Sequence, residues 1–450
     1  MAAGRGEFGT RFGFIMAAAG SAVGLGNIWG FPTQAASNGG AAFLVVYLVL
    51  AFCLAYPVLM AEFTIGRHGH ANAVNSLSKI ANNAATRKLS WFAGVYGAII
   101  ASFILAFYAV VAGWIIAFFL EPIAALTLGE SAAAWLSEFG VVRNLFFCSA
   151  FIGLTVAISG SGIQDGIEKW CSRLMPTLLV LLVLLIVYVL TLPGAAQGLK
   201  VYLLPDVSRA MSPSLVVSAL GSAFFSLSLG VGTMLVYASY LPDDTNLPKM
   251  GGIVALVDVG IAVLAGFLVI PAMYVAMHNG VEIFNAAGEL ISEDTLVFTV
   301  LPALFDTMGR AGVVVSLVFF LLMAMAALTS SISMLEVPVA LVNERSGIER
   351  NRAAWLVGGL ILLASVTIIF NFEMLFGFVV GMTTRYSQPL LGLILCVFAG
   401  WVWQRNSVLE ELRKGSPDVE NSLFWRIWPG YVRYVCPLFI ILIFLNLAFG

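Results

Sequence analysis

The amino-acid sequence predicts an all-α integral membrane protein of eleven transmembrane helices. Of 450 residues, 60% are apolar and only 10% are charged, whereas soluble domains carry roughly 25% charged residues. The apolar residues form continuous runs rather than the alternating segments of about ten residues that a membrane β-barrel shows. A helix needs roughly 20 such residues to cross the hydrocarbon core, where backbone groups find no water to bond.

In chain order the runs are 11–37, 41–67, 89–120, 142–159, 168–191, 214–240, 251–277, 312–343, 353–370, 373–403 and 431–449. The longest polar stretches, 121–141, 193–213, 278–311 and 404–430, are too short to enclose a core of their own, so 1–450 reads as a single membrane domain. The N-terminus is short and polar, and no cleavable leader is expected. Seventeen Lys and Arg fall on the side of the N-terminus, four on the other, and Arg385 within the tenth span. Positive residues stay on the cytoplasmic side. The expectation is a multi-pass protein of the inner cell membrane, N-terminus cytoplasmic and C-terminus external.

A net charge of −2 leaves no basic field to hold nucleic acid. Five cysteines are scattered without paired spacing, so neither a disulfide framework nor a zinc site is indicated. His68, His70 and His278 read as loop residues, and no metalloprotease, serine-hydrolase or phosphate-loop motif occurs. An enzyme is not expected.

Two spans carry internal breaks. The first contains Gly24-Leu25-Gly26 and the sixth Gly230-Val231-Gly232, each near mid-membrane. Glycine weakens a helix by roughly 1 kcal/mol relative to alanine, and small residues also serve close helix packing. Two such pairs five helices apart favour another reading. Spans 1–5 (11–191) and 6–10 (214–403) become repeats of inverted topology, each opening with a broken helix, with 431–449 added as an eleventh. Secondary transporters use such 5+5 cores and bind substrate and ions where the helices break.

The residues at these breaks make a family resemblance visible. Ala-Gly-Ser-Ala-Val-Gly-Leu-Gly-Asn-Ile-Trp-Gly-Phe-Pro (19–32), Asn38-Gly39-Gly40, Glu62 to Arg67, Ser102 to Trp114, Phe224 to Tyr240 and Leu328 to Ser331 occur in order in the corresponding helices. The sequence resembles the neurotransmitter:sodium symporter family from about residue 5 to residue 343, and its eleven spans are similar to those of bacterial members.

The resemblance implies two sodium sites. The first is implied at the Ala22 carbonyl, Asn27, Ser226 and Asp258, and the second at Gly20, Val23, Ala326, Thr329 and Ser330. All offer oxygen, as a hard cation requires. Asp258 is costly in hydrocarbon, so it faces a cation, a water-filled cavity or a structural partner. Thr329 and Ser330 also have the option of bonding the preceding turn.

The same resemblance implies a substrate site at Ala22, Gly24, Leu25, Gly26, Ile104, Tyr108, Phe225, Ser226, Ser228, Val231, Ser330 and Met334. Family members that carry monoamines have Asp where Gly24 stands. Glycine there implies that the substrate brings its own carboxylate, as an amino acid does, to meet amides near Leu25 and Gly26, the first sodium and the Tyr108 hydroxyl. The walls Ile104, Phe225, Val231, Ser330 and Met334 imply a neutral, mainly hydrophobic side chain. The implied function is sodium-coupled symport of such an amino acid, with sodium as coupling ion and no organic cofactor. A carrier of another small carboxylate, or a sensor or channel on the same fold, stands as the alternative.

Gates complete the picture. Arg5, Tyr240 and Glu344 match the inner gate, with Phe8 where Trp is usual, and Tyr108 over Phe225 matches the pocket lid. Gly166 and Pro176 reproduce a family spacing in the fifth helix, or mark an ordinary kink. Gly30 departs from the Arg usual in the outer gate. Arg385, within the tenth span, either replaces that charge or turns toward interhelical carbonyls.

Overall fold

Thr10 opens the first helix, its hydroxyl accepting the Gly13 N–H at 2.9 Å. The Glu168 carboxylate accepts the Gly9 N–H and the Thr10 hydroxyl, each at 2.7 Å. These bonds satisfy amides that a helix start leaves without partners and tie the beginning of the chain to the fifth span. The computed structural model describes residues 6–204, 212–285, 290 and 296–449; Arg5 lies outside them.

Helices α1 (Arg11–Ala22) and α2 (Gly26–Ser37) form the first span, bent by 54° at their junction. The next four spans are α3 (Ala41–Gly69), α4 (Ala84–Thr127), α5 (Val141–Gly160) and α6 (Ile163–Leu190). The sixth divides into α7 (Pro213–Ser226) and α8 (Thr233–Ala238). Then follow α9 (Leu247–His278), a short connecting helix α10 (Leu296–Thr307), α11 (Arg310–Ser346), α12 (Arg350–Phe370) and α13 (Phe372–Val402). An amphipathic helix α14 (Arg405–Gly415) precedes the last element, a π-helical turn Tyr431–Val435 continued by α15 (Cys436–Phe449).

Among the described residues, eight helices are long and apolar enough to cross a membrane, and the bent pair is a ninth. The expected count of eleven is therefore not met by length and composition. The sixth span falls short because its backbone leaves the helix: Ser228, Gly230 and Gly232 have φ of 52°, 67° and 87°. That region suits glycine and strains serine. Glu62 of α3 holds the gap, its carboxylate accepting the Gly230 N–H at 2.8 Å and the Leu235 N–H at 3.3 Å. The first span breaks for a different reason. Gly24 and Gly26 keep ordinary φ values and are instead places of close approach, where a Cβ on Gly26 would stand 2.6 Å from the Phe225 ring.

At one end of the bundle, Arg67 at the close of α3 is fully buried and bonds Glu411 of α14 at 2.7 Å. The Thr245 carbonyl accepts another Arg67 N–H at 2.5 Å. His68 lies 3.1 Å from the other Glu411 oxygen and stacks against Trp403, and Lys414 is 3.0 Å from the same carboxylate. The loop reading of the histidines is thereby corrected: His68 belongs to the last turn of α3, His70 caps it and His278 ends α9. Burial alone would raise the Glu411 carboxyl, but His68, Arg67 and Lys414 outweigh it and hold the group down at about 2. A depressed carboxylate stabilises the fold at pH above its unfolded value, and that contribution disappears as pH falls through the folded value. The thermal midpoint of purified protein should therefore fall on acidification below about pH 4.5, and Glu411→Gln should flatten that slope. An unchanged slope in the variant would remove Glu411 as its source.

Candidate functional site

The two breaks face each other. Between them lies a cavity lined by Ser21, Ala22, Gly24, Leu25 and Gly26 of the first span, and Phe225, Ser228, Val231 and Thr233 of the sixth. Ile104 and Tyr108 of α4, Ser330 and Met334 of α11 and Gln388 of α13 close its sides. Of the residues expected at the substrate site, all except Ser226 line it. Ser21, Thr233 and Gln388 were not foreseen.

Tyr108 is positioned by accepting the Leu25 N–H at 3.1 Å. A Cβ on Gly24 would stand 2.8 Å from that hydroxyl and 2.6 Å from Ser330 Oγ, so only glycine fits between them. Ser228 donates to the Ser21 carbonyl at 2.8 Å, joining the two breaks directly.

Behind the cavity, three of the four residues implied for the first ion, Asn27, Ser226 and Asp258, come together. Asn27 Nδ2 donates to Asp258 Oδ1 at 2.7 Å and to Ser226 Oγ at 2.9 Å, and Ser226 donates to Asp258 Oδ2 at 2.7 Å. The Tyr47 hydroxyl is 3.2 Å from Ser226 Oγ. Asp258 is fully buried, with neutral donors as its bonding partners. A buried carboxylate of this kind is expensive without a cation nearby.

The second set also converges, with a distinction within it. Thr329 bonds the Met325 and Ala326 carbonyls of its own helix at 3.2 and 3.1 Å, the default for such hydroxyls. Ser330 instead reaches across to α1, donating to the Gly20 carbonyl at 3.1 Å and the Val23 carbonyl at 3.2 Å. Those two carbonyls lie at the helix break, where orphan acceptors are available to a cation. Gly20 is also approached by α6, since a Cβ there would stand 3.3 Å from Met175. Pro176 lies inside α6, and Gly166 occupies a π-helical turn, its missing side chain leaving room for the Ile158 carbonyl.

Of the residues expected at the inner gate, Tyr240 and Glu344 lie within the described residues. Tyr240 donates to Glu336 Oε1 at 2.6 Å, and Glu336, fully buried on α11, pairs with Arg350 through both oxygens. Glu344 accepts the Asn72 N–H at 2.9 Å. Phe8 packs against Tyr237 and Tyr240 at 5.8 and 6.4 Å and donates its N–H to the Tyr240 carbonyl. Glu336 and Glu62 were missed as functional residues, although a carboxylate inside an apolar run was signal enough, as it was for Asp258.

At the opposite end, Gly30 has open space, the nearest atom to an added Cβ being the Leu25 oxygen at 3.9 Å. Arg385 is exposed on a π-helical stretch, Gly381–Ser387, and has no ion pair among the described residues. Rings stand there instead. Phe298 of α10 meets Trp29 at 5.8 Å, Trp114 at 5.6 Å and Phe118 at 5.3 Å, and Trp114 meets Phe372 at 5.5 Å.

Comparison with known proteins agrees with this geometry. Residues 5–141 and 134–449 match the sodium:neurotransmitter symporter family. An uncharacterized sodium-dependent transporter of Bacillus subtilis is 33% identical over 98% of this chain and 97% of its own length. Another, of Methanocaldococcus jannaschii, is 30% identical over 95% of this chain and 88% of its own. The crystal structure of MhsT in complex with L-phenylalanine superposes with a TM-score of 0.84 at 35% identity, covering 98% of this chain and 99% of that one. With the paired helix breaks, the oxygen-lined sites beside them and matches along nearly its whole length, the chain belongs to the sodium:neurotransmitter symporter family.

Proposed function

We propose that this protein carries a neutral amino acid into the cell with sodium, by alternating access about the cavity between the two helix breaks. The observation that carries the proposal is Gly24 wedged between Tyr108 and Ser330. An Asp there has no room, so the cavity's negative charge is left to the substrate's own carboxylate. The L-phenylalanine bound to MhsT supports an amino acid as cargo. Ala22, Asn27, Ser226 and Asp258 would hold one sodium, and Gly20, Val23, Ala326, Thr329 and Ser330 a second. Repeats 11–191 and 214–403 would move against each other, with the N-terminus cytoplasmic, the C-terminus external, and Arg5, Tyr240 and Glu344 at the inner gate. The outer lid in this reading is the ring cluster about Phe298, and Arg385 is not required for it.

In proteoliposomes, an inward sodium gradient should drive accumulation of a neutral amino acid above its external concentration. The same gradient of potassium should not. Equal accumulation with either cation would refute the coupling.

A further inference from the structure

The walls expected of a hydrophobic cargo, Ile104, Phe225, Val231, Ser330 and Met334, all line the cavity, but a side-chain amide joins them. Gln388, 3% exposed, lines it beside Ile104, Val231 and Met334. Among the described residues its side-chain amide makes no hydrogen bond, and it is not one of the fully occluded unpaired groups, so it keeps access to open space. The residue is also fixed in place. The backbone of Gly230 lies directly against the Gln388 carbonyl, buried Pro389 follows, and the preceding Ser387 accepts a bond from Tyr96 at 2.9 Å.

A buried amide has both a donor and an acceptor to satisfy. Among the described residues no Asp, Glu, Lys or Arg lines the cavity, so a charged side chain has no counterpart there. Thr233 of the sixth-span break also lines the cavity, and its hydroxyl is already donating to the Ser228 carbonyl at 3.1 Å. A group that donates and accepts at once, such as a hydroxyl or a carboxamide, matches what Gln388 offers. An aliphatic chain would leave it unpaired.

We propose that Gln388 is a specificity-determining residue that reads a hydroxyl or carboxamide on the side chain of the cargo. The preferred substrate class is then neutral amino acids with polar side chains, narrower than the hydrophobic class implied by the remaining walls. The inference rests on the transport reading above. A site built to bond a polar group discriminates strongly against an isostere that lacks it.

The test is competition between near-isosteric amino acids for sodium-driven uptake in proteoliposomes: threonine with valine, asparagine with leucine, tyrosine with phenylalanine. Wild-type protein should prefer the polar member of at least one pair by about tenfold or more. Gln388→Leu should collapse or invert that preference, with the apolar member still taken up. Gln388→Met, closer in length and flexibility, should do the same and serves if the leucine variant folds poorly. A wild type that shows no preference within any pair overturns the proposal without recourse to a variant. Equal ratios in wild type and variants overturn it too. No sodium-driven uptake of any of the six by the wild type would instead count against the transport reading on which it rests, and the proposal would fall with it.

Discussion

Asp258→Asn should raise the sodium concentration for half-maximal uptake by about tenfold or more, a loss of about 1.4 kcal/mol in ion binding. The carboxylate is fully buried, and its two oxygens are bonded at 2.7 Å to Asn27 and Ser226, which share the first ion set. Asparagine keeps the shape and removes the charge that offsets a cation in a dry site. The fixed charge also makes a separate anion unnecessary, so wild-type uptake should not depend on chloride. In Asp258→Asn, chloride should restore part of the sodium affinity. Sodium titrations of uptake, with chloride or gluconate as the anion, measure both effects. Unchanged sodium affinity in the variant would leave Asp258 as a structural carboxylate only.

Gly24→Ala should reduce amino-acid uptake by about 100-fold or more, about 2.7 kcal/mol at 1.4 kcal/mol per tenfold. The added carbon would stand 2.6 Å from Ser330 Oγ and 2.8 Å from the Tyr108 hydroxyl. Neither oxygen is free to move aside: Ser330 is tied to the Gly20 and Val23 carbonyls, and Tyr108 to the Leu25 amide. One methyl group therefore strikes a residue of the proposed second sodium set and a residue of the proposed substrate site together. Gly30→Ala is the control, since its added carbon meets nothing nearer than 3.9 Å and should leave transport near wild type. Normal uptake by Gly24→Ala would show that the first break carries no substrate.

Much of this site was legible from residue chemistry. Glycine pairs in apolar runs located both breaks, and an aspartate in hydrocarbon pointed to the buried cluster it forms with Asn27 and Ser226, because each is energetically costly unless it has a use. What escaped was what long-range folding brings to a site. Gln388 is an ordinary residue on the tenth span until the backbone of Gly230 closes against it. Glu62 and Glu336 announced their cost but not their partners, which lie 168 positions away at Gly230 and 96 positions away at Tyr240. The glycine pair marked the sixth break but not its reach to Ser228, whose φ of 52° carries no mark in the sequence because hydropathy records composition and not dihedral angle. Gly30 indeed stands in open space, but the rings we propose as the outer lid in place of an ion pair come from four separate elements, a pattern with no local motif.

That replacement changes which variables govern the outer lid. An ion pair weakens as salt is added, whereas the edge-on and tilted rings of Trp29, Trp114, Phe298 and Phe372 meet by excluding water. Their separation carries a positive heat capacity, and apolar association loses strength on cooling. A lid of this kind favours its closed form on warming through the ambient range and is tightened by salts excluded from protein surfaces, such as sulfate. If the proposed lid closes on these rings, the balance between open and occluded molecules should follow temperature and excluded salts more than ionic strength.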